Sequence, residues 1–135
     1  MPVKKIIVDS DIILDHVLTK KPISLLRKLH QQYFCYTTAF NAIEVFSAAR
    51  TKREIQAVQY AMNAMKILGL NAKSAKNIAG VFSGFRNAKK SNLCSLIAGI
   101  ALESKLPIVT MHPNRFLAVK NLKIIAVKND RVMKR

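Results

Sequence analysis

The sequence predicts an α/β fold, a sandwich with helices on both faces of a mostly parallel central sheet. Short apolar runs without polar alternation are typical of strands buried on both faces, and Ile6–Val8 is the first of them. Segments with helical spacing separate these runs, as expected for crossovers between parallel strands. With 135 residues, of which 50% are hydrophobic, the chain fits one domain. We expect this domain over residues 1–127 and a basic tail over residues 128–135.

The elements follow in order along the chain. Strands are predicted at Ile6–Val8, Tyr33–Tyr36, Pro107–Thr110 and Leu122–Val127. Helices are predicted over residues 12–17, 23–30, 39–49, 52–69, 72–89 and 93–102, where apolar residues recur at helical spacing.

Local signals support the starts and breaks of these helices. Ser10 and Asp11 can cap the first helix, and Pro22 separates it from the second. Thr37 and Thr38 mark the start of the third. The fifth helix is interrupted by Gly80 and Gly84, which weaken it.

The chain is strongly basic. Its 23 Lys and Arg against 7 Asp and Glu give a formal charge of +16, so the expected partner is a nucleic acid rather than a membrane. No apolar stretch reaches the ~20 residues of a spanning helix, and the start runs into a strand without a signal peptide. A cytoplasmic protein is expected. Cys35 and Cys94 are isolated, which predicts free thiols.

Carboxylates gather at one predicted edge of the sheet. Asp9 and Asp11 follow the first strand directly, and carboxyl ends of parallel strands share an edge. Glu44 lies in an apolar helix, where a charge is costly unless a partner compensates it, and Asn41 lies on the same helical face. We expect Asp9, Glu44 and His112, which follows the third strand, to converge there.

Four segments resemble, in order, the signature blocks of PIN domains, particularly the small VapC-type toxins of prokaryotic toxin–antitoxin pairs: IIVDSDIIL, TTAFNAIEVFSAA, LCSLIAGIAL and IVTMHPNRF. The resemblance covers residues 4–127 and implies a PIN-like three-layer α/β/α sandwich. It also implies a metal-dependent endoribonuclease that cleaves single-stranded RNA, in which Asp9 and Glu44 hold Mg²⁺ or Mn²⁺ and a metal-bound water attacks the phosphodiester. A cognate antitoxin and a homodimer are further implications.

Two positions depart from the family pattern. Cys94 and His112 stand where the resemblance places the third and fourth acids. One interpretation is a lapsed site with Cys94 as a small apolar residue and His112 in solvent. In another, Asp9 and Glu44 hold one Mg²⁺ through water, with Asp11 as a substitute ligand. In a third, the family geometry brings Asp9, Glu44, Cys94 and His112 together as ligands for Zn²⁺ or Fe²⁺.

The remaining candidates support the site or contact nucleic acid. Ser10 either hydrogen-bonds a metal ligand or caps its helix, and Thr110 either positions a phosphate or completes the strand end. Candidates for RNA-backbone contacts are Arg86, Lys89, Lys90 and Arg115.

Three functions stay open on the sequence. The first is a PIN-type endoribonuclease, and the second is an inactive PIN-like module that binds RNA or a protein. The third is a basic nucleic-acid-binding protein unrelated to PIN chemistry, which Glu44 in its apolar helix argues against.

Overall fold

A computed structural model describes residues 4–19, 22–82, 92–117, 119–128 and 131–132. Its strands are β1 Lys5–Val8, β2 Phe34–Thr38, β3 Lys66–Leu68, β4 Ile108–Thr110, β5 Ile124–Lys128 and β6 Arg131–Val132. Its helices are α1 Ser10–Leu18, α2 Leu25–Gln32, α3 Ala39–Ala48, α4 Lys52–Asn63, α5 Ala72–Phe82 and α6 Asn92–Ser104, with a 3₁₀ helix at Pro113–Phe116.

The strands form one sheet in the order β3-β2-β1-β4-β5-β6. All pairs are parallel except the last, in which β6 runs antiparallel to β5. Strand β1 lies between β2 and β4, and Val8 at its end pairs with Val109. The carboxyl ends of β1, β2 and β4 therefore meet at one edge of the sheet.

Apolar side chains cover both faces of this sheet. Ile6 and Val8 point into a core that includes Leu26, Leu29 and Met62 from α2 and α4. On the opposite face a second core joins the sheet to α6; it is formed by Ile7, Ile97, Ala98, Ala101, Ile108 and Phe116. Helices thus pack on both faces, and the predicted α/β/α sandwich is confirmed.

Helix α6 is rich in small residues, which allows close packing. A Cβ atom added at Gly99 would lie 2.7 Å from Cγ2 of Ile78 on α5. The contact between these two helices therefore depends on a residue without a side chain at position 99.

The prediction that the fourth helix runs to Leu68–Gly69 is wrong. Helix α4 ends at Asn63, and Lys66–Leu68 forms the edge strand β3, paired in parallel with Tyr36–Thr38. Strand β2 accordingly extends two residues past its predicted end at Tyr36. Pairing between strands, which local sequence does not encode, satisfies the backbone of both segments.

Two sequence predictions concern the C-terminal tail and the basic segment expected to contact RNA. Residues 131 and 132, expected in a tail, pair with β5. The candidate RNA contacts Arg86, Lys89 and Lys90 lie outside the described residues. Among the helices that the structure describes, none has the length and apolar character needed to cross a membrane.

Candidate functional site

The site begins where β1 and β4 end side by side. The backbone N–H of Asp9 donates to the carbonyl of Val109 at 2.9 Å, which places Asp9 beside Thr110. From the other neighbouring strand, the hydroxyl of Thr37 donates to the carbonyl of Val8 at 2.9 Å. These contacts fix the turn from β1 into α1.

Asp9 is the buried centre of the site and caps the N-terminus of α1. Its side chain is 0% exposed. Oδ1 accepts hydrogen bonds from the backbone of Ser10 at 2.8 Å and from Nδ2 of Asn41 at 3.0 Å, and Oδ2 accepts from Thr110 Oγ1 at 2.7 Å. Burial raises the pKa of Asp9, the negative charge of Asp11 raises it further, and Arg115 acts against both.

Asn41 is held by a capping box at the start of α3. Its Oδ1 accepts from the backbone N–H and the hydroxyl of Thr38, at 3.3 and 2.7 Å. Its Nδ2 is thereby turned toward the site and donates to Asp9 and, at 2.8 Å, to Ser10 Oγ. The amide thus links the helix start to the carboxylate of Asp9.

Glu44 lies one turn farther along α3, on the same face as Asn41. Its Oε1 accepts a hydrogen bond from Ser10 Oγ at 2.6 Å. Since Ser10 also accepts from Asn41, a continuous chain of hydrogen bonds joins Asn41, Ser10 and Glu44. The sequence prediction that Asp9 and Glu44 share one edge of the sheet agrees with this geometry.

Arg115 lies between the two carboxylates. Its Nη1 is 3.3 and 3.2 Å from the oxygens of Asp9, and its Nη2 is 3.2 and 3.1 Å from those of Glu44. Nε and Nη2 each donate to Cys94 Sγ at 3.3 Å, and the guanidinium lies over the Phe116 ring, 5.4 Å from its centroid. One cation therefore contacts all four carboxylate oxygens.

The electrostatics of Arg115 follow from this position. Burial alone would lower its pKa, but the charge of Asp9, the contact with Cys94 and the charge of Glu44 outweigh burial and raise it. The arginine is therefore a permanent positive charge inside the site.

Asp11 and His112 form a separate pair beside the site. Oδ2 of Asp11 accepts from the backbone of Met111 at 2.8 Å and lies 2.7 Å from Nδ1 of His112, whose side chain is 66% exposed. Within the described residues, Oδ1 of Asp11 is buried without a hydrogen-bond partner. Thr110 Oγ1 lies 3.0 Å from Oδ2 of Asp11 and 2.7 Å from Oδ2 of Asp9. Its hydroxyl has one proton and can donate to only one of the two carboxylates at a time.

The site as arranged does not fit a divalent cation. Mg²⁺ requires oxygen ligands at about 2.0–2.1 Å, and the Nη atoms of Arg115 stand in that space beside Asp9 and Glu44. The two further ligands expected for Zn²⁺ are bound to other groups, since Cys94 contacts the guanidinium of Arg115 and His112 contacts Asp11. Nowhere in the described part of the chain do three or more His, Cys, Asp or Glu side chains group as metal ligands would.

Most of the residues singled out from the sequence meet at this edge of the sheet: Asp9, Ser10, Asn41, Glu44, Cys94, Thr110 and Arg115. Asp11 and His112 meet each other and touch the group through Thr110. Sequence reasoning placed Arg115 on a nucleic-acid surface and missed its contact with the carboxylates. It used the Thr pair before α3 as a helix-start signal and missed that Thr37 donates to the carbonyl of Val8 and that Thr38 donates to Asn41.

No family model and no curated protein matches the sequence. The fold matches solved structures of toxin–antitoxin complexes. VapBC2 from Rickettsia felis, bound to a promoter DNA fragment, has a TM-score of 0.76 at 15% identity, over 92% of this chain and 99% of that chain. DNA-bound VapBC from Salmonella typhimurium has a TM-score of 0.75 at 14% identity, over 91% of this chain and 97% of that chain. FitAcB from Neisseria gonorrhoeae has a TM-score of 0.64 at 16% identity, over 88% of this chain and 95% of that chain.

Proposed function

We propose that this PIN-like chain is a VapC-like protein that binds single-stranded RNA without cleaving it. The observation that carries the proposal is the position of Arg115. Phosphodiester hydrolysis of the kind that the resemblance implies needs hard oxygen ligands available to Mg²⁺ or Mn²⁺. All four oxygens of Asp9 and Glu44 are instead in contact with the guanidinium.

The charge of the chain supports RNA as the partner. A formal charge of +16 on 135 residues attracts a phosphate backbone and releases its counterions. Arg115 itself is held by Asp9 and Glu44, so backbone contacts are assigned to the other basic residues, the candidates Arg86, Lys89 and Lys90 among them.

A protein partner of the antitoxin type is part of the proposal. It is supported by the structural neighbours, which include a toxin–antitoxin complex from Klebsiella pneumoniae and FitAcB. Three apolar side chains exposed on α3 and α4, Ile43, Phe46 and Ile55, suit a protein contact, with an antitoxin or in a homodimer. Light scattering on the purified protein tests the homodimer, because a mass near the 15.1 kDa of one chain would contradict it.

A metal-dependent endoribonuclease is the second candidate. The observation in its favour is the buried polar network, because Asp9, Asn41 and Thr110 are each 0% exposed. Buried polar groups are costly, and such clusters of carboxylates and amides concentrate at functional sites. This candidate requires Arg115 to leave the carboxylates before Mg²⁺ or Mn²⁺ could bind them.

One experiment separates the two candidates. A labelled single-stranded RNA pool is incubated with the protein in Mg²⁺ or Mn²⁺, and both binding and chain length are followed. The proposal predicts binding that weakens steeply with added salt while the RNA stays intact. Cleavage that disappears in both Asp9→Asn and Glu44→Gln would establish the ribonuclease instead. Absence of binding at low salt would contradict the RNA partner.

A further inference from the structure

A guanidinium and a divalent cation make different demands on a pair of carboxylates. The guanidinium offers several N–H donors in a fixed plane and carries one charge, whereas Mg²⁺ or Mn²⁺ carries two and bonds oxygen directly. In this site Nη1 donates to Asp9 and Nη2 donates to Glu44, so each carboxylate is bound by a different nitrogen of the guanidinium.

The surroundings of Arg115 hold it in place. Cys94 accepts from Nε and Nη2, and the ring of Phe116 lies beneath the guanidinium. Phe116 is 0% exposed, so the segment that carries Arg115 is anchored in the core next to the site. Of the Arg115 side chain itself, 25% is exposed.

We infer that Arg115 is the built-in counter-cation of Asp9 and Glu44 and excludes divalent cations from them. This inference deepens the proposed function and rests on the same contact, but it does not depend on RNA. A consequence follows for the variant without the guanidinium. Asp9 and Glu44 would keep their hydrogen bonds to Asn41 and Ser10 and would face a space without a cation. That space becomes a divalent-cation site.

Titration with Mn²⁺, followed by the electron paramagnetic resonance signal of the free ion, tests this without RNA. Arg115→Ser is expected to bind one Mn²⁺ at least about tenfold more tightly than wild type, which corresponds to about 1.4 kcal/mol. Arg53→Ser, which removes an exposed arginine from α4, is the matched control and should bind Mn²⁺ as wild type does. Adding Asp9→Asn to Arg115→Ser should abolish the gain. Equal Mn²⁺ affinity of folded Arg115→Ser and wild type would overturn the inference.

A second measurement covers the case in which Arg115→Ser does not fold. Wild type, Asp9→Asn and Glu44→Gln are compared for Mn²⁺ binding under the same conditions. The inference predicts the same weak background in all three, because the wild-type carboxylates are not available to the ion. Tighter binding by wild type than by both variants would overturn it. Neither outcome bears on RNA affinity, so failure of this inference is distinguishable from failure of the proposed function.

Discussion

Arg115 and Asp9 lie 106 positions apart in the chain, and Nη1 of the arginine is 3.2 Å from Oδ2 of the aspartate. The aspartate is fully buried, whereas the arginine reaches solvent with a quarter of its side chain. A buried carboxylate without a nearby cation is strongly disfavoured. The contact therefore links the end of the chain's first strand to the segment after β4 and stabilises both.

Removal of the guanidinium is expected to destabilise the fold. Arg115→Met should lower the free energy of unfolding by about 3 kcal/mol, because it leaves the buried charge of Asp9 without its partner. Urea denaturation of wild type and variant measures the difference. The exposed control Arg53→Met should stay within about 0.5 kcal/mol of wild type. If both variants behaved alike, the contact would have no structural importance.

Loss of the Asn41 amide should also be costly. Asn41→Leu removes both donors that serve Asp9 and Ser10 and leaves Thr38 without its acceptor, which should cost about 2–3 kcal/mol. The control is Asn63→Leu at the exposed end of α4, expected within about 0.5 kcal/mol of wild type. Thermal denaturation of both variants checks this. An Asn41→Leu melting temperature equal to that of wild type would contradict the network described above.

The free energy of unfolding is expected to fall on mild acidification because of two partly buried histidines. Burial lowers the pKa of His16 and of His30 below the ordinary 6.5, and for His16 the charges of Arg27 and His30 add to the effect while Asp15 opposes it. Below pH 6.5 the unfolded chain therefore binds protons more readily than the folded chain. Stability is fully present above pH 6.5 and falls as the pH drops, by at most about 1.4 kcal/mol per pH unit for each histidine.

The histidine prediction is tested by urea denaturation at several pH values between 7.5 and 5. The double variant His16→Gln, His30→Gln should show a flatter pH dependence than wild type, since all other titrating groups are common to both proteins. Identical slopes would show that neither histidine carries the effect. His16 Nδ1 lies 2.6 Å from Ser24 Oγ, so the single His30→Gln variant gives the cleaner comparison.

The two thiols should differ in reactivity. Cys35 is buried, which raises the pKa of its thiol to about 11, so at pH 8 only about one part in a thousand is thiolate. Cys94 is only half buried. Iodoacetamide should therefore modify Cys94 in the native protein and Cys35 only after unfolding, as read by mass spectrometry of the peptides. Native Cys94→Ser should take up no label. Equal labelling of both thiols in the native chain would contradict the burial of Cys35.

Much of this arrangement could be predicted from the sequence, for identifiable reasons. The uninterrupted apolar run before Asp9 and the apolar helix around Glu44 are local patterns, and parallel topology then brings the two acids together. Strand β3 could not be predicted, because three residues are too few to show a period and their pairing with β2 is tertiary. The position of Arg115 is also tertiary: a long side chain can reach solvent or a carboxylate, and only the folded chain decides which.

The exclusion of divalent cations by Arg115 is tested most directly by a crystal structure of the wild-type protein grown with MnCl₂, with anomalous diffraction to locate the metal. We expect the guanidinium of Arg115 between Asp9 and Glu44 and no anomalous peak between these carboxylates. A manganese peak bonded to both carboxylates, with Arg115 displaced, would contradict it.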